Sequence, residues 1–190
     1  MRKLILAAAL TGLSFSAVAA ETYTIDPDHT YPHFTISHLG FSTLHGRFNT
    51  TKGKIVLDKT GTTSAVDIVI DAASVDTGMK KRDDHLRSPD FLNAVEFPAI
   101  TYKSSKVTFN GATKATVDGT LTISGVSKPV KLDVQSINCG IHPMDPKKEK
   151  FVCGFDATTK IKRSDFGLKY GIPAIGDEMA ISLGVEGIRN

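Results

Sequence analysis

Residues 117–123 read Val117-Asp118-Gly119-Thr120-Leu121-Thr122-Ile123, so apolar and polar side chains alternate along this stretch. The same period of two occurs in Val66–Asp71 and in Val130–Val134. Because successive side chains of a β-strand point to opposite faces, the pattern predicts strands with one dry face and one wet face. Such half-buried strands are typical of antiparallel sheets.

Further candidate strands lie on both sides of these three. They are Tyr23–Ile25, Phe34–His38, Arg47–Leu57, Ile100–Phe109, Phe151–Ile161 and Met179–Val185. Turn signals such as Phe109-Asn110-Gly111 separate them. Eight or nine short strands without alternating long helices leave a β-sandwich or a β-barrel as the expected fold.

One segment, Thr77–Leu92, breaks the strand pattern. Met79 and Leu86 are compatible with a short helix, and Ser88-Pro89 would interrupt it. The segment lies between the strands around Ile70 and Ile100 and is long enough to cover one end of a barrel. We expect it to be a helical insertion.

The first 20 residues have the pattern of a cleaved secretory signal peptide. Arg2 and Lys3 are followed by the apolar stretch Leu4–Leu10 and by the small residues Ala17–Ala20. Cleavage after Ala20 leaves residues 21–190 as a single domain. No cysteine stands at the cleavage point, so the exported product is not expected to be a lipoprotein.

The charge balance argues against nucleic acid as a partner. The whole chain has 23 basic and 20 acidic residues, and without Arg2 and Lys3 the balance is 21 against 20. Because basic and acidic residues are present in nearly equal numbers, the sequence has no excess of positive charge that would bind a phosphate backbone. No later apolar run approaches the roughly 18 residues that span a bilayer, so no stable membrane insertion is expected.

Cys139 and Cys153 are the only cysteines. Export places them in an oxidising compartment, and a turn-rich segment with two prolines separates them. We predict a disulfide that closes this hairpin. If the two cysteines were directly opposite each other, odd-numbered residues of one strand would face odd-numbered residues of the other. The apolar residues are even-numbered on the first strand, in Val130–Val134, and odd-numbered on the second, in Phe151–Ile161. Either a β-bulge therefore intervenes or the bond is diagonal.

Signals for catalysis or metal binding are weak. The sequence contains no Gly-x-Ser-x-Gly elbow and no phosphate-binding glycine loop, and Asp83-Asp84 is more typical of helix capping. His29, His33, His38 and His45 fall within 17 residues, but His33 and His38 would point to opposite faces of a strand. We therefore assign no catalytic residue and no metal ligand.

Ordered blocks along the chain resemble the YceI-like polyisoprenoid-binding proteins. The blocks are Asp26–Thr30, Phe34–Gly40, Gly46–Phe48, Ser74–Gly78, Arg82–Leu86, Asp90–Leu92, Phe97–Tyr102, Gly119–Val130 and Arg163–Gly167. The resemblance covers essentially all of residues 21–190. The chain departs from the family pattern at Thr30, where Ser is common, at Tyr23, where Trp is frequent, and in its cysteine hairpin.

The resemblance implies an all-β fold: an extended eight-stranded antiparallel lipocalin-like barrel with a short helical insertion around residues 77–92. It also implies a periplasmic protein that is not an enzyme. The expected ligand is a long polyisoprenoid or a quinone-like lipid, held in the barrel interior, and no other cofactor is expected.

Alternation nominates side chains that point into the barrel, and the insertion adds apolar residues at one end. The candidate ligand-binding residues are Phe34, Ile36, Phe48, Ile68, Ile70, Met79, Leu86, Phe91, Tyr102, Leu121, Ile123, Met179, Ile181 and Leu183. From alternation alone a packed core is the default interpretation of the barrel residues, and the resemblance favours a cavity instead.

Polar residues of the family blocks are candidates for a headgroup contact or for an architectural role. They are His38, Arg82, Asp83, His85 and Arg163. Two other functions remain open at this point. One is a metal-dependent enzyme that uses His29, His38 and His85, and the other is a structural or stress-related protein with a solidly packed barrel.

Overall fold

The computed structural model describes residues 20–59 and 63–190. The predicted signal peptide therefore lies outside the described residues, apart from Ala20. The strands and the helix are β1 (Glu21–Ile25), β2 (Tyr31–His38), β3 (Ser42–Phe48), β4 (Thr51–Leu57), β5 (Ala65–Asp71), β6 (Val75–Asp76), α1 (Lys80–Arg87), β7 (Ala99–Phe109), β8 (Ala115–Ile123), β9 (Val126–Ile141), β10 (Phe151–Lys162) and β11 (Ile175–Arg189).

Eight strands close into an antiparallel barrel. Neighbouring strands follow the order β1-β4-β5-β7-β8-β9-β10-β11, and β11 pairs back with β1. The barrel is extended at one end, where β11 also pairs with β2, β2 with β3, and β3 with the short β6. The eight-stranded antiparallel barrel expected from the sequence is confirmed.

One of the predicted strands is interrupted. Arg47–Leu57, predicted as one strand, is in fact divided into β3 and β4 at Asn49 and Thr50. The prediction was wrong there because the backbone N–H groups of both residues donate to Ser74, at 3.0 Å to its carbonyl and 3.1 Å to its hydroxyl. These bonds replace the regular ladder between strands.

A short turn separates β1 from β2. Residues Pro27–His29 form a 3-10 turn, and the side chain of Asp26 accepts a hydrogen bond from the backbone N–H of Asp28. The buried hydroxyl of Thr30 accepts from the backbone N–H of Glu186 on β11 at 3.1 Å. The turn is therefore anchored to the neighbouring strand.

The two cysteines form the predicted disulfide, with an S–S distance of 1.99 Å. Cys139 on β9 and Cys153 on β10 lie directly opposite each other. The register of the two strands then shifts between Asp156 and Ala157, so that Ala157 faces Val134. Of the two explanations for the opposite parity, the bulge is the one that the structure shows.

The helical insertion lies where the sequence placed it, although the helix itself covers only Lys80–Arg87. It ends at Ser88, whose N–H donates to the carbonyl of His85, and Pro89 follows. Arg87 ties the helix to the barrel through bonds to the carbonyls of Ala73 at 2.7 Å and Val75 at 2.9 Å. Within the described residues, no helix is long and apolar enough to cross a bilayer.

Candidate functional site

Three adjacent compartments of open space lie in the barrel and under its helical insertion. A mouth of about 670 Å³ lies under the helical insertion, a middle compartment of about 140 Å³ lies inside the strands, and a base compartment of about 80 Å³ follows. Mouth and middle share Phe34, Phe48 and Met179 in their walls, and middle and base share Ile68 and Leu183. The barrel interior therefore contains open space beside its buried core.

All the side chains predicted to face a ligand lie on these walls. The middle compartment is lined by Phe34, Phe48, Ile68, Ile70, Tyr102, Leu121, Ile123, Met179, Ile181 and Leu183. The mouth is lined by Ile36, Met79, Leu86 and Phe91. The structure thus brings the candidates together around one apolar space, and their contact with a ligand stays a prediction.

Tyr102 presents its ring to the middle compartment and its hydroxyl to the barrel wall. The hydroxyl proton is shared between the carbonyls of Val117 at 3.0 Å and Val130 at 3.1 Å. Burial raises the pKa of this phenol, with a further contribution from Asp118. Tyr102 therefore stays neutral and contributes an apolar face to the cavity.

An aromatic cluster holds the helical insertion over the mouth. The rings of His85, Phe91 and Tyr170 lie 5.0–5.2 Å apart between centroids. His85 also bonds through Nε2 to Asp90 at 2.8 Å. Because Tyr170 follows β10 whereas the other two rings belong to the insertion, the cluster joins two separate segments that line the mouth.

Arg82 and Asp83 are both bonded to Thr77. Arg82 lines the mouth and donates to the hydroxyl of Thr77 at 2.7 Å and to its carbonyl at 2.8 Å. Asp83 is buried and accepts from the backbone N–H of Thr77 at 2.9 Å and from its hydroxyl. These contacts fix the loop that leads into α1, and a headgroup contact by either residue stays a prediction.

Arg163 is only 3% exposed, and it lines both the mouth and the middle compartment. Its guanidinium donates to the carbonyls of Gly176 at 2.8 Å, Leu168 at 2.9 Å and Ile175 at 3.0 Å. Burial lowers the pKa of this group, and the Asp177 carboxylate opposes that effect. The contacts join the segment after β10 to the start of β11.

The histidines proposed for a metal enzyme do not form one cluster. His38 and His85 line the mouth, whereas Nδ1 of His29 lies 3.1 Å from Asp26. Within the described residues, the group with potential ligand atoms closest to one another is Asp26, His29 and Glu186, all within 4.8 Å. Lys150 Nζ already lies 4.0 Å from the Asp26 carboxylate, which places a cation beside this group.

The sequence interpretation missed several wall residues. In the middle compartment the apolar ones are Pro32, Leu92, Ile100, Val130, Leu132, Ile161, Leu168 and Val185. Alternation along β9 and β10 would have nominated Leu132 and Ile161. Thr51, which also lines the middle compartment, gives no such signal because threonine is common on either face of a strand.

Comparisons with known proteins agree with this architecture. A family model described as the YceI-like domain matches residues 23–187. The chain is 38% identical over 194 residues to a UPF0312 protein of Pseudomonas aeruginosa (strain LESB58) and 37% identical over 194 residues to Protein YceI of Escherichia coli O157:H7. Each alignment covers 100% of this chain and 99% of the relative.

A solved structure with a similar fold is described as a polyisoprenoid binding domain from Saccharophagus degradans, implicated in plant cell wall breakdown. The TM-score is 0.64 at 20% identity, over 88% of this chain and 98% of that one.

Proposed function

Because the chain belongs to the YceI-like family, we propose that it is a binding protein whose barrel holds one long isoprenoid chain, either a polyisoprenoid or an isoprenoid quinone. The observation that carries the proposal is the apolar space that continues from the mouth into the barrel. The description of the Saccharophagus degradans domain as polyisoprenoid binding supports the ligand class.

The cavity has the chemistry that such a ligand needs. Its middle compartment is lined almost wholly by apolar atoms, which favour hydrocarbon over water. Burial of one CH₂ group contributes about 0.8 kcal/mol, so a five-carbon isoprene unit offers a gross contribution of roughly 3–4 kcal/mol. The ordering of the flexible chain offsets part of this gain.

The proposed location is the periplasm, to which residues 1–20 would direct the chain as a signal peptide that is then cleaved. The proposed role is carriage, storage or sensing of the lipid rather than catalysis. The sequence pattern of those residues supports export.

A chain-length series tests the proposal. Delipidated protein is titrated at equilibrium with geraniol, farnesol and geranylgeraniol, each delivered from cyclodextrin. We expect affinity to rise at least about tenfold per added isoprene unit until the cavity is filled. Affinity that does not depend on chain length, or absence of binding by all three alcohols, would contradict the proposed function.

A further inference from the structure

Exposed apolar side chains from three segments of the chain lie at the edge of the mouth. Phe41 is 90% exposed, and Leu39, Met79 and Tyr170 are each 49% exposed. Met79 and Tyr170 also line the mouth itself. We call these four residues the rim. Contiguous apolar side chains on the surface of a protein mark interaction sites, so the rim requires a partner.

Leu39 and Phe41 belong to the turn between β2 and β3, which backbone contacts hold next to the mouth. His38, the residue before the turn, lines the mouth and pairs with Ile175, which also lines it. The backbone N–H of Leu39 donates to the carbonyl of Ala174 at 2.7 Å, and that of Phe41 donates to the carbonyl of His38 at 3.0 Å. Phe41 is therefore held at the edge of the opening with its side chain in solvent.

The segments that carry the rim have an excess of positive charge. Residues 77–92 contain four basic and three acidic side chains, and residues 168–175 contain one basic side chain and no acidic one. Residues 38–42 contain neither kind. With histidine counted as neutral, the three segments together carry two more positive than negative charges. A partner with negative charge therefore complements this edge of the protein.

Two of the cations at the mouth are available to such a partner. Lys81 and Lys169 are exposed, and neither forms an ion pair within the part of the chain that the structure describes. Asp84, an exposed acid of the same insertion, already pairs with Lys80 at 2.6 Å and with Arg87 at 3.1 Å. Lys81 and Lys169 thus remain for an external anion.

We propose that the rim docks reversibly on a lipid bilayer that contains anionic headgroups, so that the mouth opens onto the membrane. This inference rests on the proposed function and deepens it, because it names the surface from which the isoprenoid enters. Phe41 and Leu39 enter the boundary between headgroups and acyl chains. Tyr170 lies at headgroup level, where tyrosine is enriched in membrane proteins, and the two free lysines contact the phosphates.

The chemistry of the ligand gives an independent reason for this contact. A long isoprenoid is almost insoluble in water, because each additional CH₂ group raises the free energy of the chain in water. The ligand therefore resides in a membrane until a protein takes it up there. A mouth that opens against the bilayer lets the hydrocarbon chain pass into the barrel without crossing water.

A second copy of this chain is the other occupant that an apolar rim could take, and charge disfavours it. A two-fold dimer places the same patch of both copies face to face. Lys81 and Lys169 of one copy would then face the equivalent lysines of the other, and like charges in contact oppose association. An anionic bilayer has the complementary charge.

Binding of the protein to vesicles tests the proposal without any isoprenoid. The probes are vesicles of phosphatidylcholine in which a quarter of the lipid is phosphatidylglycerol, and vesicles of phosphatidylcholine alone. We expect flotation with the mixed vesicles, and weaker binding to phosphatidylcholine alone and at high salt. Phe41→Asp should weaken binding to the mixed vesicles at least about tenfold, because it removes the most exposed apolar side chain of the rim.

Met144→Asp is the matched control. Met144 is 83% exposed and lies in the cysteine hairpin before β10, whereas the mouth residue Arg163 follows the other end of that strand. This variant should bind the mixed vesicles as tightly as the unmodified protein. Lys169→Gln provides a second variant, and it should weaken binding to the mixed vesicles about fivefold.

Uptake of ligand separates docking from binding in the cavity. Phe41 is not among the residues of the three compartment walls. Phe41→Asp should therefore bind geranylgeraniol delivered from cyclodextrin as tightly as the unmodified protein. It should take the same alcohol up from the mixed vesicles about tenfold more slowly, in proportion to its weaker docking.

Three results would overturn the inference. They are absence of vesicle binding by the unmodified protein, equal vesicle binding by Phe41→Asp and Met144→Asp, and a dimer in solution that Phe41→Asp dissociates while vesicles bind neither form. The last result would assign the rim to a second copy of the chain. If the unmodified protein docks on vesicles but does not bind geranylgeraniol from cyclodextrin, the proposed function fails and the docking surface stands.

Discussion

The tip of the Phe34 ring lies over Gly46, its partner on β3, so closely that a Cβ atom at residue 46 would be 2.3 Å from Phe34 Cζ. Tyr102 has the same relationship to Gly119 on β8, where a Cβ atom would be 2.5 Å from the tyrosine Cζ. Both rings line the middle compartment. The two glycines let these rings lie close to the barrel wall, which leaves the interior open.

Gly46→Ala should reduce the amount of bound lipid. The added methyl group displaces the Phe34 ring from the wall into the cavity, and such overpacking costs about 1–3 kcal/mol of the free energy of unfolding. Both quantities can be measured, by lipid extraction and by urea unfolding.

Gly184→Ala is the matched control for this change, since a Cβ atom at that exposed β11 position meets no other atom within 4 Å. Adding Phe34→Leu to Gly46→Ala should restore part of the lipid content. If Gly46→Ala retains full lipid occupancy, the close packing of ring on glycine does not keep the cavity open.

A charge on the inner side of the helical insertion should also lower lipid content. Leu86 is partly buried and lines the mouth, so Leu86→Asp places a carboxylate against the chain of the ligand. Val95→Asp is the control, because Val95 lies three residues after the insertion and is 96% exposed. Quantification of lipid in the purified variants distinguishes the two, and equal lipid content would show that the insertion does not contact the ligand.

Loss of the disulfide should reduce stability and leave lipid binding unchanged. The bond closes a loop of about 15 residues, for which the chain-entropy model gives roughly 3 kcal/mol. Cys139→Ala is expected to lose up to this much of the free energy of unfolding, as measured in urea. The same loss in the reduced, unmodified protein would assign it to the bond, whereas a large drop in lipid affinity would show that the hairpin acts on the cavity.

Acid should weaken the segment near the mouth through Asp177. The backbone N–H of Ser164 donates to this carboxylate at 2.8 Å and its hydroxyl does so at 2.7 Å, and these bonds hold the pKa of Asp177 below its usual value. A lowered pKa in the folded state stabilises the protein above the unfolded-state pKa of about 3.9, and this contribution is lost as the pH falls through the folded-state pKa.

Asp177→Asn should therefore lower the thermal midpoint at pH 7, and the difference from the unmodified protein should shrink below about pH 4. Thermal midpoints measured between pH 7 and pH 3 check this expectation. A difference that stays constant over that range would contradict it.

The alternation of side chains was sufficient to predict antiparallel strands and much of the inner wall, because a period of two fixes which face of a strand is buried, whereas the choice of a barrel over a sandwich came from the resemblance to the YceI-like family. It did not predict the breaks at Asn49 and Thr50. Those breaks depend on bonds to Ser74, more than twenty residues away along the chain. Periodicity carries no information about such pairings.

The lengths of β9 and β11 were also underestimated. Val130–Val134 and Met179–Val185 were predicted, whereas the structure extends them to Val126–Ile141 and Ile175–Arg189. Their outer parts carry many partly exposed side chains, so they lack the sharp contrast between wet and dry faces. Pairing with adjacent strands, rather than local pattern, sets where they end.

The most direct test of the central claim is the lipid content of the native protein. The protein is purified from its native host without detergent, extracted with an organic solvent and analysed by mass spectrometry. The account predicts close to one isoprenoid lipid per chain, as expected for a barrel that encloses one ligand. An extract without isoprenoid lipid, from protein that also fails to bind geranylgeraniol after extraction, would contradict it.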